Sequence, residues 1–431
     1  PQQRVLLELG YAALHGTGQR RQSLAGVACG VFVGIEHLDW QLLQALKTSR
    51  TVLQRPETYA ASGEQPHMAS GRLAFVLDLH GPIMSLNTAC SSALVAIHTA
   101  ATTIRAIQCV GSLAASAKVI LLPFGIDGVI FARDGRSKSF DARADGYGRS
   151  EAIAAVRLDT GDHDIAVLGG SGVQAGGRAA SLTAPNGSAQ TSLMRSVLSR
   201  GSLSPAHVAC IQPQGLGSAL ADPIEMRAAA VVLGTGRANH LAIGCHKANV
   251  GHSEAPSGLL GVLVARKVTE GGPVASNAQL RALNSLVDQS NTLTTIPLAF
   301  GTNFFTVPGA QNACGVMAFG VSGIVGHAIL WAHASDSKRK ADGSGVFKFT
   351  RRAFPWKEPM YELPAGFTPA CEEEALLVQQ ETALPLSSGE YVRLQVEMHV
   401  ALLELNDPVH FNTLSLQMAS DMQAAVQWVT A

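Results

Sequence analysis

Apolar positions along the chain follow two rhythms. From Val27 to Val33 (Val-Ala-Cys-Gly-Val-Phe-Val) they run almost unbroken over a length that predicts a strand covered on both faces. After Cys90 they recur at three- and four-residue spacing, at Leu94, Ile97, Ala101 and Ile104, which predicts one buried face of a helix. Between these stretches an extended run begins at Gly81 and ends abruptly at Cys90. The short run Leu241 to Gly244 predicts a further strand, with Lys247 leaving its end. Val392 to Pro408 alternates as a hairpin does, and Asn412 to Ser415 reads as a helix start. Strands alternating with helical stretches predict an α/β architecture with sheets covered on both sides.

The pattern leaves Cys90 on a strand-to-helix turn, at the positive end of the following helix. Unpaired N–H groups and the macrodipole at such a place favour thiolate over thiol, the form that attacks an acyl group. The same position equally suits one more buried, inert cysteine. Asp134 to Arg149 is polar and rich in glycine, and each of its residues taken singly reads as part of a solvated loop. Asp222, Pro223 and Glu225 together predict a helix start, with a capping side chain, a first-turn proline and a carboxylate reaching back. The glycines between Phe319 and His327 are not followed by Lys-Ser/Thr, so a phosphate loop is a poor reading of them.

Composition narrows the function classes. The chain has 431 residues, 47% hydrophobic and 15% charged, enough for a large core and more than one domain. Its formal net charge is zero, which argues against nucleic acid or an acidic membrane as partner. No apolar run reaches membrane-spanning length and no signal peptide is evident. Seven cysteines, at 29, 90, 109, 210, 245, 314 and 371, show neither a CxxC pair nor metal spacing, and none of the 14 histidines builds an HExxH. No metal is therefore expected. The scattered odd set of thiols suits a reducing cytoplasm.

Thr88-Ala-Cys-Ser-Ser with Leu94-Val-Ala-Ile-His98 resembles the nucleophile motif of the β-ketoacyl synthase domains of modular polyketide synthases. Further hallmarks follow in order: Phe140 to Tyr147, Leu182 to Gln190, Gln214-Gly-Leu-Gly-Ser, Lys247-Ala-Asn-Val-Gly-His252-Ser-Glu254 and Phe319-Gly-Val-Ser-Gly-Ile-Val-Gly-His327. The resemblance implies a thiolase-like layered α/β/α/β/α fold of duplicated five-stranded mixed sheets, truncated at its N-terminus because the family's opening strand is missing. It also implies that Cys90 accepts an acyl chain, with Lys247 and His252 catalytic and the amides of Cys90 and Val321 forming the oxyanion hole. Asn249, Glu254, Gly320 and Phe319 would support them, with Glu254 the partner of Lys247.

Several departures matter. The family's first catalytic histidine is Gln214 here, and its neighbouring threonine is Leu216. Asn87 replaces an aspartate, Val321 an aromatic gate, and Ile324-Val325 a Thr-Asn pair. An amide cannot carry a proton at neutral pH. The expectation is therefore a domain that takes an acyl chain from an acyl carrier protein onto Cys90 and holds or passes it on without elongation. Alternatives are a condensing synthase in which Gln214 suffices as a hydrogen-bond donor, and a silent scaffold. The domain itself would need no cofactor, since phosphopantetheine belongs to the carrier. Partners would be neighbouring synthase domains and a second copy in a homodimer. Residues 1–336 would form the synthase-like domain and 337–390 a linker, with Arg351 to Trp356 resembling one that wraps back over a synthase. Residues 391–431 would begin a crotonase-like domain, on the resemblance of Leu405 to Ser415.

Overall fold

The computed structural model describes residues 2–36, 39–40, 62–63 and 65–332, apart from 122–130, 161–165, 235, 236, 238, 292–297 and 304–312. It also describes the backbone of 392–397 and 400–405. Two compact units arise, the first taking in residues 1–339.

In the first unit the chain runs through α1 (Gln2–His15), the short α2 (Arg21–Leu24), β1 (Cys29–Ile35), α3 (Met68–Leu77), β2 (Ile83–Leu86), α4 (Ser92–Arg105), β3 (Gly111–Lys118) and β4 (Ala152–Asp159). The strands pair in the order β2-β1-β3-β4, with only the β3–β4 pair antiparallel. All seven residues of β1 are buried, as an unbroken apolar run requires of a strand covered on both faces.

A second sheet, ordered β5-β10-β9-β6-β7-β8, follows. Its strands are β5 (Val167–Ala175), β6 (Val208–Gln212), β7 (Leu241–Ile243), β8 (Leu298–Phe300), β9 (Ala313–Phe319) and β10 (Ile324–Trp331). Helices α5 (Gly187–Arg200), α6 (Ala221–Leu233), α7 (Lys247–Val250), α8 (Ser257–Thr269) and α9 (Ser285–Asn291) complete the unit.

Three apolar clusters define five layers. Helices α1 and α3 cover the outer face of the first sheet, and α5 and α6 that of the second. Between the sheets lie α4 and α8. There Leu94, Ile97, Ala101 and Ile104 are all buried, the face their spacing predicts. Gly258 lets the two middle helices meet, since a Cβ on it would lie 2.8 Å from Leu94 Cγ. The layered α/β/α/β/α fold is thus present. The described sheets have four and six strands, however, not five each, because β5 joins the β10 edge while β4 is an edge of its own sheet.

The stretch expected to be a solvated loop is largely interior. Phe140 and Asp141 are almost wholly buried, and Tyr147 is 6% exposed. Asp141 accepts N–H bonds from Arg281 (2.6 Å) and Ala282 (3.1 Å), and these bonds with Arg143 hold its carboxyl well below the usual range against the cost of burial. Polar residues sit inside because loop backbone and carboxylate satisfy one another.

In the second unit β11 (Val392–Glu397) pairs antiparallel with β12 (Val400–Leu405), the hairpin that the alternation predicts. The linker, the Arg351 to Trp356 segment and the helix expected from Asn412 lie outside the described residues. Among the described residues no helix is long and apolar enough to cross a membrane.

Candidate active site

Cys90 lies in the turn between β2 and α4. Ala89, just before it, holds a left-handed conformation (φ 50°), which strains a residue bearing a Cβ. The turn is tied down locally: Thr88 N–H donates to Ser92 Oγ at 2.8 Å, and Ser91 Oγ donates to Thr88 O at 2.8 Å. The amides that open α4 are engaged as well. Those of Ser91, Ser92 and Ala93 donate to the carbonyls of Thr88, Ala89 and Ala255 at 3.0–3.3 Å. These first-turn amides are therefore already paired with backbone carbonyls. Burial pushes the Cys90 thiol up, Glu36 and Glu254 push it further, and Lys247 is the chief opposing influence. The expected lowering of the thiol pKa is reversed.

Cys90 opens into a cavity of about 480 Å³. Gln214, Glu254, Phe319, Gly320 and Val321 line it beside Cys90, whereas Lys247, Asn249 and His252 do not. Part of its lining is apolar, from Leu182, Leu216, Val321, Ile324 and Val325. Charged side chains line it as well. Lys118 Nζ lies 2.6 Å from Glu254 Oε2, Arg149 Nε lies 3.4 Å from Oε1, and Tyr147 OH donates to Oε1 at 3.2 Å. All four residues line the cavity, as does Glu36.

Gln214 leaves the end of β6 on a loop held by two carboxylates of α6. Glu225 accepts the Gln214 N–H at 2.6 Å and the Gly215 N–H at 2.9 Å. Asp222 accepts the N–H groups of Phe140 (2.8 Å), Gly217 (3.1 Å) and Ser218 (3.3 Å). Asp222 is thus not the helix cap that its sequence setting predicts. The cap position is Leu220, and the side chain of Asp222 is drawn to the loop by three amides that burial would otherwise leave unpaired. Burial raises the two carboxyls to about 6 for Asp222 and about 7 for Glu225. The side chain of Gln214 donates from Nε2 to Phe319 O at 3.4 Å, and its Oε1 has no hydrogen-bond partner among the described residues.

Lys247 does not pair with Glu254. It is fully buried, donates to Pro213 O at 3.3 Å, and has its pKa lowered by burial. Cys245, Glu225 and Cys90 oppose that lowering. Glu254 goes to Lys118 instead, a contact spanning both halves of the unit that no local pattern announces. The only hint is a lysine ending an otherwise small and apolar strand, Gly111 to Lys118. His252 is wholly buried, and its ring stands edge-on to Tyr147 at 4.7 Å. Neither of its ring nitrogens has a hydrogen-bond partner among the described residues, and burial holds its pKa well below the ordinary value. Asn249 is exposed, with Oδ1 accepting the Ala278 N–H at 3.1 Å.

The turn joining β9 to β10 abuts the Cys90 turn. A Cβ on Gly320 would collide with Thr88 O, so only glycine allows that approach. Asn186 caps α5 and brings Leu182 to Pro185 to the cavity rim.

Comparison with known families places this geometry. Residues 1–164 match the β-ketoacyl synthase N-terminal domain, and residues 165–280 match the corresponding C-terminal domain. The chain belongs to the β-ketoacyl synthase family. Among similar proteins is a partially reducing polyketide synthase (tpeA) of Talaromyces stipitatus, 35% identical over 345 residues. That alignment spans 77% of this chain and 13% of the relative. The polyketide synthase ThaG of Burkholderia thailandensis is 33% identical over 374 residues, 80% of this chain and 6% of its own length. The module 6 ketosynthase of the Bacillus subtilis bacillaene synthase matches with a TM-score of 0.69 and 25% identity, over 77% of this chain and 59% of that one. The oxazolomycin ketosynthase domain OzmH KS7 of Streptomyces albus matches with a TM-score of 0.69 and 26% identity, over 77% and 59%. This ketosynthase-family chain spans a small fraction of the multidomain synthases it resembles.

Proposed function

We propose that this ketosynthase-family domain accepts an acyl chain from a carrier-protein thioester onto Cys90 and passes on or holds that chain without lengthening it. The observation that carries the reading is the make-up of the cavity around the sulfur. Among the described residues no histidine lines it, while the amide of Gln214 does. Thioester exchange needs a sulfur, a strained turn presenting it, and donors for the developing oxyanion, for which the amides of Cys90 and Val321 are the candidates. Decarboxylative condensation also needs proton handling and enolate stabilisation in the same space, and removing one oriented donor from such a site costs on the order of a hundred- to a thousand-fold in rate.

The test is intact-protein mass spectrometry of wild type, Cys90→Ala and Gln214→His after exposure to acyl-carrier and then malonyl-carrier protein. A mass gain that requires Cys90, with no elongated product, is the expected result. Elongation by the wild type would contradict it.

A second reading, the silent dimerisation scaffold, is favoured by the upward-shifted thiol of the partly buried Cys90. A homodimer fits either reading. Ile83 and Met84 on the edge strand β2, and Phe75 on neighbouring α3, are exposed apolar side chains beside an unpaired sheet edge among the described residues. The partners proposed are an acyl carrier protein with its phosphopantetheine arm, and adjoining synthase domains. The hairpin 392–405 agrees with the opening of a crotonase-like neighbour, and no hydratase chemistry is assigned to it.

A further inference from the structure

The carboxamide of Gln214 is only half satisfied. The residue is 5% exposed, its Nε2 donates to Phe319 O at 3.4 Å, and its Oε1 meets no donor among the described residues. Turning the amide over would set that oxygen against the Phe319 carbonyl, acceptor against acceptor, so the pairing fixes which end is left over. A buried acceptor without a donor costs about 1–3 kcal/mol. Buried polar groups are as a rule paired, so an orphan on a cavity-lining residue marks a place where a bound group supplies the missing donor.

Its place beside the sulfur follows from the contacts around it. Gln214 and Cys90 line the same cavity. Phe319, which holds the amide, precedes Gly320, and Gly320 lies so close to Thr88 O that no Cβ fits between them. Thr88 stands two residues before Cys90. The orphan oxygen therefore sits at the level of the first carbons of a chain bound to Cys90. Elsewhere in the lining, Leu182, Leu216, Ile324 and Val325 suit a hydrocarbon remainder.

We propose that the acyl chain taken up by Cys90 carries a hydroxyl within its first few carbons, and that Gln214 Oε1 accepts the hydrogen bond of that hydroxyl. The inference rests on the acyl-accepting reading above and names its substrate class. In the transfer the Cys90 sulfur bonds the acyl carbon, the bond from that carbon to the donor's sulfur breaks, and the thiol proton leaves with the departing thiol. The hydroxyl takes no part in those bonds; it selects the chain. A saturated chain leaves Oε1 unpaired, and a keto oxygen at the same place would face it as a second acceptor. Oε1 is shielded from bulk water, and the single long bond to Phe319 O lets the carboxamide tilt towards a bound hydroxyl.

The test titrates unreactive amide analogues, with nitrogen in place of the thioester sulfur, calorimetrically into the wild-type chain. The β-hydroxyoctanoyl analogue should bind about tenfold more tightly than the octanoyl one, the worth of one buried hydrogen bond. The β-oxo-octanoyl analogue keeps the oxygen without the donor and should bind no better than octanoyl. These comparisons are independent of any variant's folding. In Gln214→Met the preference for the hydroxyl should fall towards one. Equal affinity for the three analogues overturns the proposal, water alone then meeting Oε1. Tighter binding of the β-oxo analogue also overturns it, because the amide would then be presenting its N–H. So does a preference that survives Gln214→Met in a folded chain. Thioesters of the same three chains, followed as mass added to Cys90, test the underlying reading separately. No adduct while the hydroxyl preference holds would sink acyl acceptance alone, and adducts from all three without preference would sink the hydroxyl inference alone.

Discussion

At the scale of single residues, the chemistry turns on what surrounds one sulfur. Burial and two carboxylates hold Cys90 as a neutral thiol at ordinary pH. Its rate of alkylation by iodoacetamide should keep climbing with pH beyond about 8.5, where an unperturbed thiol begins to level off. A plateau near neutrality would contradict the electrostatics described here. Lys118 is the lever on this environment, since it stands 2.6 Å from Glu254, one of the carboxylates acting on the thiol. Lys118→Met should raise the thiol pKa further and slow alkylation at fixed pH. It should also cost about 3–5 kcal/mol of stability, the usual consequence of breaking a buried pair. An unchanged pH–rate profile in a folded variant would remove Lys118 from the account. None of this was legible in the sequence. The motif around Cys90 announced a reactive turn, but helix amides already donating to Thr88, Ala89 and Ala255 are a tertiary fact, and so is a carboxylate 164 residues away in the chain.

At the scale of elements, α6 shapes the site through carboxylates that reading by pattern assigns to its cap. Asp222 and Glu225 instead hold the loop carrying Gln214, and both have raised pKa values. A carboxyl raised on folding stabilises the native state below its unfolded pKa, and that contribution is lost as pH rises through the folded value. For Glu225, moving from 4.5 to about 7 corresponds to about 3 kcal/mol. Thermal unfolding of the wild type should therefore occur at lower temperature at pH 8 than at pH 5.5. Glu225→Gln should flatten that slope, and a slope that survives the substitution would refute the assignment. The contact between the β9–β10 turn and the Cys90 turn gives a second check. Gly320→Ala forces the two apart, so stability should drop by about 1–3 kcal/mol and Cys90 acylation should slow. Elements themselves were largely readable: the unbroken run at β1, the helical spacing in α4 and the alternation at 392–405 all appear where periodicity puts them. The interior loop at Phe140 and Asp141 was not, because its glycines and charges look the same in water or folded against Arg281 and Ala282.

At the scale of the whole molecule, five layers bring motifs far apart in sequence to one cavity. Their order along the chain was enough to identify the family, while their mutual distances needed the fold. Asn249 and His252 share a motif, yet one is exposed and the other buried behind Tyr147. The exposed apolar group on β2 and α3 belongs to this scale as well. Sedimentation equilibrium should give twice the chain mass, and Phe75→Asp with Met84→Lys should shift it to one chain mass. A wild type that sediments as a monomer at micromolar concentration would exclude the edge-to-edge dimer. The central claim, acyl transfer to Cys90 without elongation, is tested most directly by intact-protein mass spectrometry with acyl-carrier and then malonyl-carrier substrate. The account predicts an acyl adduct that vanishes in Cys90→Ala, no elongated product from the wild type, and a first trace of elongation from Gln214→His. Elongated product from the wild type, or no adduct under any donor, would contradict it.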